Sequence, residues 1–93
     1  PRGEIRVERH KGNVTTRVLV IDDEAPIRLL CRVNLEAEGM SVLEAADGPS
    51  GLEQAREHAP DVVLLDVMMP GLDGWQVIER IREATKLPVT TPA

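Results

Sequence analysis

At 93 residues, 42% hydrophobic and 29% charged, the chain is sized for one domain at most and has the balance of an ordinary soluble globular protein rather than a disordered one. Its formal net charge of −5 argues against a dedicated nucleic-acid surface on this piece, and no run approaches the roughly 18 apolar residues of a membrane span. The single cysteine, Cys31, excludes an internal disulfide and a thiolate metal site, which makes a reducing cytoplasm the expected compartment.

The opening stretch, residues 1–16, mixes Arg2, Glu4, Arg6, Glu8, Arg9, His10 and Lys11 with few apolar positions and reads as a solvated tail. Ile5 and Val7 alternate with charge there, so a short accessory strand is the one structured option. Val18-Leu19-Val20-Ile21 then forms a first strand, apolar throughout, as expected of a parallel strand covered on both faces. Pro26 suits the first turn of a helix whose Ile27, Leu30, Cys31, Asn34 and Leu35 share one face before Gly39 ends it. Ser41 to Ala45 reads as a second strand. Asp47 caps a second helix carrying Leu52, Ala55 and Ala59, closed by Pro60.

Asp61 to Leu65 is the third strand, followed by a turn built on Pro70-Gly71, and Asp73 caps a third helix with Val77, Ile78 and Ile81 as its buried stripe. Leu87-Pro88-Val89 begins a fourth strand. Strands alternating with helices at this spacing predict right-handed crossovers and a doubly wound parallel sheet, ordered 2-1-3-4 with the fourth strand outside the third. Asp22-Asp23 and Asp66 follow the first and third strands, so in neighbouring strands their carboxylates converge in the crevice at the carboxyl ends. Like charges gathered there call for a cation. A small hard ion such as Mg²⁺ fits oxygen donors of this kind, and a carboxylate beside it can act as a nucleophile toward phosphorus.

Asp22-Asp23, the string from Asp66 through Met68, Met69, Pro70, Gly71 and Asp73 to Gly74, and Leu87-Pro88-Val89 resemble the receiver domain of two-component response regulators. The resemblance runs from about Arg17 to Val89, leaving 1–16 as an N-terminal tail and 17–93 as a partial receiver of flavodoxin-like fold. It implies that Asp66 accepts a phosphoryl group from a sensor histidine kinase or phosphotransfer protein. It implies too that Asp22, Asp23, Asp66 and the backbone carbonyl of Met68 hold Mg²⁺, Asp23 directly and Asp22 through water. The helix-one surface with Arg28 and Arg32 would face the partner, and Trp75 is a further candidate for that surface.

A receiver resembling this one continues with a fourth helix, a fifth strand and a fifth helix, and the sequence reads as truncated after strand four. The family's strand-four hydroxyl has only Thr90 and Thr91 as weak candidates, and its strand-five lysine has no counterpart, Lys86 lying before strand four. An incomplete sheet exposes an edge beside the third strand, from which dimerisation or strand exchange is expected. Asp47 and Asp73 read as helix caps, Met68 and Met69 as loop packing, His10 and His58 as surface residues, and Cys31 as a small core residue. Two rival readings accompany the phosphoacceptor. One is an interaction module, phosphorylation-independent or inactive, and the other a metal-dependent phosphohydrolase, which lacks an Asp-x-Asp motif or Gly-rich phosphate loop here.

Overall fold

The computed structural model describes the backbone of residues 4–8, 15–66, 74–86 and 89–90, and the side chains of 15–66 and 76–86. Its elements are β1 (Glu4–Glu8), β2 (Arg17–Ile21), α1 (Ala25–Ala37), β3 (Ser41–Ala45), α2 (Gly48–His58), β4 (Val62–Asp66), α3 (Gly74–Thr85) and β5 (Val89–Thr90). The sheet order is β3-β2-β4-β1-β5. Its centre is the expected parallel set, β2 pairing with β3 from Arg17 opposite Ser41 to Ile21 opposite Ala45, and with β4 from Val18 opposite Val62 to Ile21 opposite Leu65. This is the 2-1-3 order anticipated for the three strands of the βα alternation.

The outer part of the sheet differs. The 1–16 segment, read mainly as a tail, contributes β1, which runs antiparallel to β4 with Glu4 opposite Asp66, Ile5 opposite Leu65 and Val7 opposite Val63. The fourth run of the alternation lies on the outer side of β4 as expected, but with β1 interposed. Its two residues pair with Arg6 and Val7 instead of with β4. The physical reason is the open edge: β4 is paired with β2 on one side, the N–H and C=O groups it turns to the other side require partners, and the alternating Glu-Ile-Arg-Val-Glu supplies them.

Two apolar clusters lie on opposite sides of the sheet, as the period of two dictates. Leu19, Ile21, Val63 and Leu65 pack with Ala45, Ala55 of α2 and Ile78 and Ile81 of α3. Val18, Val20, Val42 and Val62 meet Cys31 and Leu35 of α1 on the other side. The predicted α3 stripe is therefore correct, while the α1 stripe needs correction. Ile27, Cys31 and Leu35 are half-buried, whereas Leu30 and Asn34 are exposed, as are Leu29 and Val33. Ala59 is also corrected: the helix stops at His58, and Ala59 adopts a left-handed φ of 45° immediately before Pro60.

Asp47 caps α2 as the sequence suggests, its side chain accepting the Ser50 N–H at 2.8 Å. That hydrogen bond holds the Asp47 carboxyl below its ordinary pKa. Gly51, in the first turns of α2, lies against Ile21 so closely that a Cβ there would overlap Ile21 Cδ1 and stand 2.9 Å from its Cγ1. A glycine at this point lets the helix sit on the strand that delivers Asp22.

Candidate functional site

Two neighbouring strands deliver the site. Beyond the paired Ile21 and Leu65, the next residues are Asp22 and Asp66, each at the carboxyl end of its strand. One ligand oxygen from each of Asp22, Asp23 and Asp66 falls within 4.8 Å of the others, with Asp22 and Asp66 buried and Asp23 exposed. The three acids singled out from the sequence thus form one cluster. Met68, Met69, Pro70, Gly71 and Asp73 lie outside the described residues, as do His10 and Thr91.

Asp22 is held on several sides. Its N–H donates to the Ala45 carbonyl at 3.0 Å, which extends the β2–β3 ladder by one bond. Its Oδ1 accepts the Glu24 N–H at 2.9 Å, a local turn that fixes the carboxylate at the mouth of α1. Arg28 donates through Nη1 to the Asp22 carbonyl at 2.7 Å. These bonds position the group before any ligand arrives. Asp66, the last residue of β4, is 2% exposed and so brings a carboxylate to the floor of the cluster from the hydrophobic centre of the sheet.

Electrostatics decides what this arrangement is suited for. Each pair of like charges at about 4 Å repels by roughly 1 kcal/mol even in bulk water, and by more where water is excluded. A hard divalent cation removes that repulsion, and the donor set consists entirely of carboxylate oxygens, the chemistry that selects Mg²⁺ or Ca²⁺ over softer metals. The residues present therefore fit such an ion. Asp23, exposed at the mouth, and Asp22 and Asp66, buried beneath it, are the groups that would hold it.

Arg28 and Arg32 do not stand as free surface charges. Arg28 Nε bonds Glu44 Oε1 at 3.2 Å and Arg32 Nε bonds Glu44 Oε2 at 2.6 Å, so one strand carboxylate ties two turns of α1 to β3. The bond to Glu44 raises the Arg32 pKa above its ordinary value. Glu44 was not singled out from the sequence, although a lone acid inside the apolar run Ser41–Ala45 was the available signal. Asp61 was also passed over. It is buried, its Oδ2 accepts the Arg17 N–H at 2.9 Å and its own N–H donates to the Arg17 carbonyl at 2.8 Å, joining the starts of β2 and β4.

His58 is half-buried and its carbonyl accepts from Arg17 Nη1 at 2.8 Å, a structural part for a residue read as surface. Cys31 packs against the valine cluster, in keeping with its reading as a small core residue. Lys86 is exposed, with φ 60°, just after α3. Thr90 lies in β5 and Trp75 in the first turn of α3, the side chains of both being outside the described set. Among the described residues no helix is long and apolar enough to cross a membrane.

Comparison with known proteins agrees with this geometry. Residues 18–91 match the response regulator receiver domain family. The chain is 43% identical over 72 residues to the transcriptional regulatory protein AfsQ1 of Streptomyces coelicolor, covering 77% of this chain and 32% of the relative. It is 45% identical over 74 residues to the transcriptional regulatory protein ResD of Bacillus subtilis, covering 80% and 31%. The chain thus spans about a third of the length of the curated relatives it matches. Among solved structures, the chemotaxis protein CheY4 of Vibrio cholerae superposes with a TM-score of 0.73 at 32% identity, over 78% of this chain and 62% of that one. The N-terminal domain of a response regulator receiver protein from Methanoculleus marisnigri gives 0.71 at 36% identity, over 77% and 61%.

Proposed function

The chain belongs to the response regulator receiver domain family, and from that premise we propose that it is the phosphoacceptor of a two-component relay, with Asp66 as the residue phosphorylated. The observation that carries the reading is the meeting of Asp22, Asp23 and Asp66 within 4.8 Å at the carboxyl ends of β2 and β4. A receiver is a signalling module rather than a turnover enzyme. The donor is a sensor histidine kinase or a phosphotransfer protein in the cytoplasm, and no direct contact of this piece with nucleic acid is invoked.

The reaction is formation of an acyl phosphate on the Asp66 carboxylate: one carboxylate oxygen bonds the phosphorus as the P–N bond of the donor's phosphohistidine breaks, and the imidazole leaves. Its burial at the end of a sheet strand holds the nucleophile in one place, which is the larger part of what a protein supplies to phosphoryl transfer. The Asp22 backbone is pinned by its N–H bond to Ala45, and its carboxylate cannot swing away from the cluster without breaking the bond from the Glu24 N–H. Asp23 is the exposed member of the cluster. Bound Mg²⁺ supplies the charge screening that lets an anionic donor approach three carboxylates. The backbone carbonyl of Met68 is proposed as a further ligand.

The test is intact-mass measurement after incubation with acetyl phosphate and Mg²⁺. The expected result is a phosphoryl adduct that forms in wild type, and that does not form when Mg²⁺ is chelated beforehand or in Asp66→Ala. Folded protein that forms no adduct would replace this reading with that of a phosphorylation-independent or inactive interaction module.

A further inference from the structure

The segment between β2 and α1, Asp22 to Glu24, carries two of the three clustered acids. It follows the last β2 pair and precedes the helical ladder, which opens with the Ile27 and Arg28 N–H groups donating to the Glu24 carbonyl at 3.1 and 3.0 Å. The Asp22 carbonyl thus lies outside both ladders, and a side chain meets it, Arg28 Nη1 at 2.7 Å. The same guanidinium is held by Glu44 of β3, its Nε donating at 3.2 Å, and the Arg28 side chain is only 19% exposed. Arg28 stands in the first turn of α1, where a cation opposes the helix dipole, so helix electrostatics do not account for it there. Helical side chains lean toward the N-terminus, and this one leans onto the turn that bears the acids.

We propose that Arg28 is a positioning residue for the acidic site: by holding the Asp22 carbonyl it fixes the peptide that joins Asp22 to Asp23, and with it the direction from which Asp23 reaches the cluster. This deepens the reading of the three aspartates as a cation site and rests on it. The peptide unit is planar, so a bond to the Asp22 oxygen also constrains the Asp23 nitrogen and Cα. The Asp22 carboxylate has its own anchor in the Glu24 N–H, whereas the exposed Asp23 takes its place from the backbone that carries it. Arg32 supplies the contrast. It bonds the same Glu44 at 2.6 Å one turn further along α1, and its Nη1 donates to Glu36 on the helix instead of to the acid turn. As a bare charge Arg28 would repel a cation, and as a brace it favours one, so the two effects differ in sign.

The test titrates the full chain with Mg²⁺, following the amide resonances of residues 22–24, in wild type, Arg28→Lys, Arg32→Lys and Asp22→Asn. Lysine keeps the charge and gives up the planar fork that reaches two partners at once. Removing a group that orients a metal ligand costs roughly ten- to a hundredfold in affinity, so Arg28→Lys should weaken Mg²⁺ binding at least about tenfold and Arg32→Lys by less than about twofold. Both variants disturb a bond to Glu44, so a part limited to stability would move them together. Without Mg²⁺, the backbone order parameter of Asp23 should fall in Arg28→Lys and hold in Arg32→Lys. The inference is overturned if Arg28→Lys binds Mg²⁺ like wild type, if the two lysine variants weaken binding equally, or if the order of Asp23 is unchanged. In each case, wild-type binding that is lost in Asp22→Asn shows that the aspartate site itself stands. A wild-type chain whose site amides do not respond to Mg²⁺ overturns both readings.

Discussion

The two faces of the sheet are built unequally. On the side of α2 and α3, Leu19, Ile21, Val63, Leu65, Ile78 and Ile81 close a core of large side chains that is almost wholly shielded from water. On the side of α1, four valines provide the strand contribution, and the helix above them has no fully buried residue. Leu29, Leu30 and Val33 of that helix are each more than half exposed. The closed face buries the larger side chains. The thinner face, next to which Asp66 and Asp22 emerge, is held in place by polar devices: the Arg28–Glu44–Arg32 bridge and the Glu24 turn.

Substitutions distinguish the two faces, and the largest effect is expected on the closed one. Ile81→Ala should cost about 2–5 kcal/mol, the range for emptying a fully buried aliphatic site, which in a domain of this size approaches the whole stability. Urea denaturation would read it as a large fall in midpoint at constant slope. Gly51→Ala should come next, at about 1–3 kcal/mol, because the new methyl group meets Ile21 rather than open space. Its displacement of Ile21 also moves Asp22, so the phosphorylation rate should fall beyond what the stability loss explains.

Asp47→Ala removes a helix cap and should cost about 1 kcal/mol. Because the folded-state pKa of Asp47 is depressed, its contribution is present above the unfolded value near 3.8 and fades as pH falls through the lower folded value. The stability difference between wild type and Asp47→Asn should therefore narrow in strong acid, and a pH series of thermal unfolding would detect it. The smallest effect is expected on α1, where Leu30→Ala should change stability by no more than about 0.5 kcal/mol. A loss above 2 kcal/mol there would contradict the two-face description.

The central sheet and its site were legible in the sequence for local reasons. Uniformly apolar four-residue runs identify doubly covered strands, and acids immediately after two of them identify the crevice where the strands end. What escaped depended on non-local facts. Glu-Ile-Arg-Val-Glu is a weak strand signal by itself and becomes β1 because β4 offers an open edge. The α1 stripe was drawn from helical spacing, but spacing cannot say over which strands the helix lies. It sits on β2 and β3, and this turns Cys31 and Leu35 inward and leaves Leu30 out. Glu44 escaped because its partners, Arg28 and Arg32, are brought to it by that same packing. Ala59 falls on the α2 stripe by spacing, but Pro60 disfavours a helical predecessor, and Ala59 turns left-handed where the helix ends.

The most direct measurement is the position of the phosphoryl group. After treatment with acetyl phosphate and Mg²⁺, borohydride reduction converts an aspartyl phosphate to homoserine, which peptide mass spectrometry can locate. The account predicts one modified position, Asp66, and no modification when Mg²⁺ is chelated. Modification at another residue, or at Asp66 without any dependence on a divalent cation, would contradict it.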